Sequence, residues 1–363
     1  MRLLYLVDPG PDYLADQLYT GLCNVLGREA VWDFPWKPAY HEPAAKIWYL
    51  PQNPGPRRTF EEVLGGLAAR TFELVCLSSP RAAAIGALEA LVGRVPLPPL
   101  VFMDGEDDAR IRHEVFRRFP VVLHFKRDYV WGAGGRRMGW LAWAVPFRGD
   151  RGLFARTHPL PLAAVLETIP PTDSLPKTID VSYTGRVSHI RRVRAVRILQ
   201  GLPGVAFAGG VYGAPEDRRY KFETNCLRRM LFKATDRSSC PETLQRLRLE
   251  PAAYYRQIAT SKVALSIRGG GVTPPPRYFE IVACRTLLVS DPPETVIPDN
   301  FEHGRHAVFC RRDLRDLAGL VRHYVRNDGE REAIVAEGYR HLVKHHTCER
   351  RAEYFLDLCR RSL

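Results

Sequence analysis

The chain lacks any stretch of about 18 uncharged apolar residues, so no helix is expected to span a bilayer. The N-terminal run MRLLYLVDPGPDYL is too short in its apolar part for a signal peptide and has no small-residue cleavage site; it reads as a first buried strand. The eight cysteines are scattered without one C-x-x-C spacing. That argues against a structural zinc site and a small disulfide scaffold, and makes reduced thiols in a cytoplasmic protein the expectation. Basic runs interleaved with aromatics are missing, as is zinc-finger spacing. No G-x-G-x-x-G opens either half, and Gly209, Gly210 and Gly213 have no helical pattern behind them, so a nicotinamide-dinucleotide enzyme fails on its motif.

What is present is ordinary for a globular chain of 363 residues: 45% hydrophobic and 26% charged, enough for about two domains. Charge is less ordinary. Lys and Arg total 53 against 40 Asp and Glu, a net +13 that favours anionic partners such as nucleotides, nucleic acid or an acidic membrane face.

Apolar runs at 3–7, 72–77, 100–103 and 121–125 alternate with helical patterns at 13–26, 59–69, 81–92 and 107–118. This βαβα order predicts a parallel sheet covered by helices. The segment 167–178, ETIPPTDSLPKT, reads as an interdomain linker. The pattern then restarts, with strands at 179–183, 205–208, 263–267, 286–290 and 306–310. A basic helix is expected at 187–199, a short one at 277–284, and three closing helices at 313–326, 330–344 and 349–361. Asp313 and Thr347 stand where N-caps belong. Residues 213–250 are polar and fit no element, an insertion or a substrate-facing segment. The expected class is α/β, with two Rossmann-like domains of parallel sheet facing a central cleft. The expected boundaries are 1–170, 171–348, and a terminal helix 349–363 packing back on the first domain. Ligands of open α/β sheets bind beyond the carboxyl ends of the strands.

The strongest local signal is 266–291, SIRGGGVTPPPRYFEIVACRTLLVSD. After a strand come Arg268 and the glycines 269–271, which let backbone N–H groups approach an anion. A helix then opens near Arg277, its positive end suited to phosphate, with Glu280 able to accept two hydrogen bonds from a ribose diol. The plainer alternative is a glycine turn with a carboxylate favourable to the helix dipole.

From Arg277 to Asp291 the pattern R-x-F-E-x-x-A-C-x-x-x-L-V-S-D resembles the nucleotide-sugar half of GT-B glycosyltransferases. It is most similar to the "glycosyl transferases group 1" type domain of spore-maturation-like and exostosin-like bacterial proteins. The resemblance continues through Asp313, Leu314 and Leu317, then Asn327, Asp328 and Arg331, Glu337-Gly338, and His346, Thr347, Arg350 and Arg351. Upstream, SYTGR at 182–186 resembles the strand and glycine that open this half, so coverage is about 178–355. The resemblance implies sugar transfer from a nucleotide-diphosphate sugar, without a bound metal and without a further cofactor. Glu280 would hold the ribose; Gly185, Arg186, Lys262, Arg268, Gly270 and Arg277 would complete the donor site. Best-known retaining members carry a second glutamate eight residues before the ribose-binding one; here Val272 stands there, so retention or inversion is left open.

The first half is expected to hold the acceptor. MDGEDDAR at 103–110 follows a strand, and Asp104 or Glu106 could serve as general base; an N-cap with an acidic first turn is the plain alternative. With Asp107 and Asp108 they also suggest a D-x-D-like metal site, which the GT-B resemblance disfavours. His124 and Asp8 are further base candidates, with a strand-end and a turn role as alternatives. His345 and His346 read as a helix terminus. Trp131, Trp140 and Trp143, among glycines, could face a sugar or simply pack. The expected partners are a nucleotide-sugar donor and an acceptor left open among saccharide, lipid carrier, protein and modified nucleic acid, with peripheral contact to an anionic membrane as an option. A nucleic-acid-binding protein, or a DNA-modifying glycosyltransferase using the basic surface, is the competing reading.

Overall fold

The computed structural model describes residues 1–45, 47–131, 144–172, 175–212 and 249–362. Trp140, Trp143, the glycines beside them and residues 213–248 lie outside the described residues. The chain divides into two compact units, 1–168 with 294–299 and 344–363, and 169–293 with 300–343.

The first unit is built on six parallel strands: β1 (Leu3–Leu6), β2 (Val31–Phe34), β3 (Leu74–Leu77), β4 (Leu100–Asp104), β5 (Val121–Lys126) and β6 (Thr157–Pro159). They lie in the order β2-β1-β3-β4-β5-β6. Leu3 pairs with Leu74 on one side and Val31 on the other. A strand so flanked, with helices over both faces, has no wet side, and β1 and β3 are accordingly apolar at every position. The helices α1 (Tyr13–Leu26), α2 (Phe60–Ala68), α3 (Ala82–Leu91) and α4 (His113–Arg118) follow strands in the pattern expected. Leu4, Leu6, Val75, Leu77 and Phe102 form one core with Val63, Leu67, Leu88 and Val115.

Helix starts are set by local chemistry. Asp12 accepts from Ala15 N at 3.2 Å and caps α1. At α2, Thr59 and Glu62 make a reciprocal capping box. The expected helix 107–118 is shorter, because the Asp and Arg residues of 107–112 form loop turns before α4 opens. Strands β2 and β6 were not anticipated: VWDF and THP show neither an apolar run nor clear alternation.

The second unit has five parallel strands: β7 (Ile179–Arg186), β8 (Phe207–Tyr212), β9 (Ser261–Ser266), β10 (Leu287–Ser290) and β11 (Val308–Phe309). Their order is β11-β10-β9-β7-β8. Helices α5 (Ile190–Gln200), α6 (Pro251–Ala259) and α7 (Arg277–Ala283) alternate with them. Val181, Val263, Leu265, Leu287 and Val289 pack with Ala195, Leu199, Leu317 and Val321. Asp313 does not cap the helix Leu317–Arg326; it pairs with Arg311, and Asp316 stands at the cap position. Thr347 does receive Arg350 N, at 3.4 Å. Among the described residues no helix is long and apolar enough to cross a membrane.

Within the first unit, α1 lies against the last helix, Cys348–Ser362, closely enough that a Cβ at Gly21 would overlap the carbonyl of Cys348. Glycine inside a helix normally weakens it by about 0.5–1 kcal/mol relative to alanine. Here the sign reverses: Gly21→Ala is expected to lower unfolding free energy by about 1–3 kcal/mol, the usual penalty of forced overpacking. Urea denaturation of the two proteins checks it; a more stable variant would show the helices free to separate.

Candidate functional site

In the second unit the strand order reverses between β7 and β9. Such a reversal opens a crevice beyond the carboxyl ends of the two strands. Pairing of β7 with β9 is registered as far as Ser182 with Ala264. Gly185 and Arg186 end β7, and Ser266 ends β9, followed by Ile267, Arg268 and the glycines. Asp291 follows β10. Six of the seven residues expected to hold a donor, Gly185, Arg186, Arg268, Gly270, Arg277 and Glu280, therefore sit after these strands or on the helix that follows β9. Lys262 does not. It is second in β9, at the strand's opposite end, and pairs with Asp180 at 3.0 Å.

Arg277 and Glu280 are one helical turn apart on α7 and face inward. Glu280 is 5% exposed and accepts from Tyr254 Oη at 2.7 Å. Burial pushes its carboxyl above the usual range, while Tyr254 and Arg277 pull it back. The Arg277 guanidinium carbon lies 5.2 Å from the Tyr183 ring centre and 5.8 Å from that of Tyr254. Its Nη1 and Tyr183 Oη converge beside Gly185, where a Cβ would come within 3.0 Å and 2.7 Å of them. Among the described residues, Arg277 Nε and Nη1, Tyr183 Oη and Ser266 Oγ are buried without a hydrogen-bond partner. Buried polar atoms are nearly always satisfied. Four orphans along one edge mark a place completed by something polar.

The same edge is cationic. Helix α5 opens with Arg191, Arg192 and Arg194 and no acid in its first turn. Arg191 pairs with Asp291 at 3.1 Å, and the second Asp291 oxygen accepts Arg268 N at 3.0 Å. Arg192 is 6% exposed and donates to three backbone carbonyls of Arg186, Ile267 and Arg268. Sequence reading passed over Arg191, Arg192, Tyr183 and Tyr254. The available signal was the cation cluster at the positive end of a helix, where acids are the favoured residues. The glycines Gly209 and Gly210 lie inside β8, opposite Tyr183 and Thr184, and serve strand pairing.

The candidates of the first unit are placed differently. Asp104 is fully buried at the end of β4 and is held by Lys126 Nζ at 2.7 Å and Arg112 Nε at 3.2 Å. Burial pushes its carboxyl up and the two cations pull it down. Glu106 pairs with Arg81 at 2.8 Å, Asp108 with Arg112 at 3.1 Å, and Asp107 with Arg127. Each of these four carboxylates thus has a cation within ion-pair distance, Arg112 serving both Asp104 and Asp108. Among the described residues no group of three or more potential ligands gathers to hold a metal. Asp8 accepts Gly10 N at 2.9 Å, a turn role. Trp131 is buried against Tyr129 and Phe147, a packing role. His345 lies in the last turn of the helix Asp328–His345, near Asp299, and His346 bonds Arg351 at 2.6 Å.

His124, in the interior of β5, is fully buried, stacks on Phe102 at 5.1 Å and meets Phe116 edge-on. Its Nδ1 lies 3.2 Å from Thr157 Oγ1. Burial, with Lys126 and Arg112 nearby, holds the imidazole neutral well below its ordinary range. A depressed base takes up protons in the unfolded chain first, so its stabilisation is present above about pH 6.5 and lost as pH falls below that. His124→Phe is expected to flatten the acid side of the stability curve by up to about 1.4 kcal/mol per pH unit relative to the parent. Denaturant melts from pH 7 to 4.5 measure it; parallel curves for the two proteins would mean that the ring is charged in the fold.

Residues 195–357 match a family model described as glycosyl transferase-like. No curated protein sequence matches the chain. Among solved structures, Anabaena HepE in complex with UDP and glucose superposes with a TM-score of 0.57 at 13% identity, covering 99% of this chain and 100% of its own. A glycosyltransferase from Rickettsia africae gives 0.62 at 8% identity, covering 99% and 98%. Sucrose-phosphate synthase from Thermosynechococcus elongatus gives 0.57 at 11% identity, covering 99% of both chains. The chain therefore shares the two-domain fold of these solved glycosyltransferases, and its residues 195–357 resemble a glycosyl transferase-like domain.

Proposed function

We propose that the chain transfers a glycosyl group from a nucleoside-diphosphate sugar to an acceptor, with the β7–β9 edge of the second unit as its donor site and without a required metal ion. The observation that carries this reading is the set of buried polar atoms on Tyr183, Ser266 and Arg277 that lack partners among the described residues, in the part of the unit where the strand order reverses and Glu280 lies. HepE, of the same fold, holds UDP and glucose, which supports a uridine nucleotide as the first ligand to try.

In such a transfer the bond from the anomeric carbon to the β-phosphate oxygen breaks, and a bond to the acceptor oxygen forms. The acceptor's proton passes to a base, and the nucleoside diphosphate leaves with the bonding pair. Charge develops on the leaving phosphate, and fixed donors aimed at it lower the barrier. Arg186, Arg191, Arg268 and Arg277 are fixed cations in this part of the unit, and the N–H groups of the 269–271 loop add neutral donors. Glu280 takes the ribose diol, its position set by Tyr254. Arg277 meets the sugar or phosphate oxygens with the two nitrogens that lack partners among the described residues. Saccharide, lipid carrier, protein and modified nucleic acid all fit the acceptor's role.

Glu280→Gln keeps an acceptor for Tyr254 but removes the charge. Losing a charge-assisted pair should weaken UDP by about 10- to 100-fold, the equivalent of roughly 1.5–3 kcal/mol. Calorimetric titration of UDP into both proteins reads this directly. In a parallel melt, UDP at 100 times its dissociation constant should raise the stability of the parent by about 2.7 kcal/mol. Equal affinity of parent and variant would remove Glu280 from the site.

A further inference from the structure

Arg192 carries a charge that the fold does not explain. It stands in the first turn of α5, where the helix dipole repels a cation. It is buried, and its three acceptors are neutral carbonyls. Among the described residues no carboxylate forms an ion pair with it; Asp291, which attracts it more weakly, is paired with Arg191. Burial first pushes its guanidinium down from the ordinary arginine range, against the partial attraction of Tyr183 and Asp291. A buried charge with no ion-pair partner among the described residues is expensive for a core to keep. Arg277, the next cation along this edge, adds repulsion.

What Arg192 joins is equally specific. Registered pairing between β7 and β9 runs out at Ser182 and Ala264, before either strand ends. Arg192 bridges the two sides beyond that point. Its Nη1 donates to Arg186 O at 2.8 Å on the β7 side, and its Nε donates to Ile267 O and Arg268 O, both at 3.0 Å, on the β9 side. The remaining nitrogen, Nη2, lies under Gly269, where a Cβ would come within 2.9 Å of it.

We propose that Arg192 is the positioning residue for the donor's β-phosphate: it fixes the spacing of the Arg186 and Arg268–Gly270 loops, and the diphosphate supplies the ion-pair partner it lacks among the described residues. This rests on the reading of the β7–β9 edge as a nucleoside-diphosphate site. Arg192 needs no contact with the ligand to act so. Removing it lets two loops drift apart, and the ligand group they jointly hold is the one that loses affinity.

The experiment compares UDP with UMP, which lacks the β-phosphate, by calorimetric titration into the parent, Arg192→Gln and Gly269→Ala, all as full chains. In the parent UDP is expected to bind more tightly than UMP. In Arg192→Gln that preference should shrink by about tenfold, the loss of one charge-assisted contact set, with UMP affinity nearly unchanged. Gly269→Ala keeps the charge but pushes against Nη2, and should shrink the preference in the same direction; it carries the test if Arg192→Gln does not fold. A purely structural role would lower the melting temperature and weaken both nucleotides alike, leaving the UDP-to-UMP ratio intact; that result overturns the proposal while sparing the donor site. A parent that binds neither nucleotide removes the donor reading, and Arg192's role with it.

Discussion

A parallel sheet whose strand order reverses cannot keep its two central strands bonded to their ends. Between β7 and β9 the registered pairing stops at Ser182 and Ala264, and the residues proposed to hold the donor lie around the ends of these strands. Crossover helices return the chain so that their positive ends cluster at the same edge. The sequence then adds arginines there instead of the acids that would neutralise it. The end of strand pairing and the converging dipoles follow from one topological fact, and with the arginines gathered there they support the anionic donor proposed above.

The two units make an instructive pair because both bury charges and do so in opposite ways. In the first, carboxylates and cations are matched. Asp104 has Lys126 and Arg112, and Asp16 has Lys37 at 2.6 Å with the hydroxyls of Tyr40 and Tyr49. Such networks are closed: every strong acceptor is used, so they orient loops and offer nothing to a substrate. In the second unit Asp291 and Glu280 are outnumbered by Arg191, Arg192, Arg268 and Arg277, and orphaned polar atoms remain. Such an arrangement suits the anionic donor proposed for it.

That contrast also explains what could be read from the residues alone. Strands β1, β3, β9 and β10 were legible because a strand buried on both faces must be apolar throughout, and Glu280 and Arg277 because they share a short helix with a recognisable pattern. β2, β6 and the two-residue β11 carry no such run; their neighbours across the sheet define them. Asp104 looked like a general base because its neutralising partner, Lys126, is 22 positions away on β5. Lys262 looked like a phosphate ligand because composition does not say which end of a strand a residue occupies. Arg192 was invisible for the converse reason: a cation in a basic helix reads as solvated until its burial is seen.

Glycine has a different meaning here from the one its sequence suggests. A glycine loop beside a strand end invites the view that the missing side chain makes room for a phosphate. At Gly185 the space is taken by Arg277 Nη1 and Tyr183 Oη, and at Gly269 by Arg192 Nη2. Both glycines have been fitted to guanidinium groups of the protein itself. Neither has a positive φ that would demand glycine on backbone grounds. Their constraint is therefore the placing of cations, and substituting either one disturbs an arginine before it disturbs any ligand. Glycine, carbonyl and guanidinium positions along this edge are mutually constrained, which is the kind of preorganisation the proposed transfer would draw on.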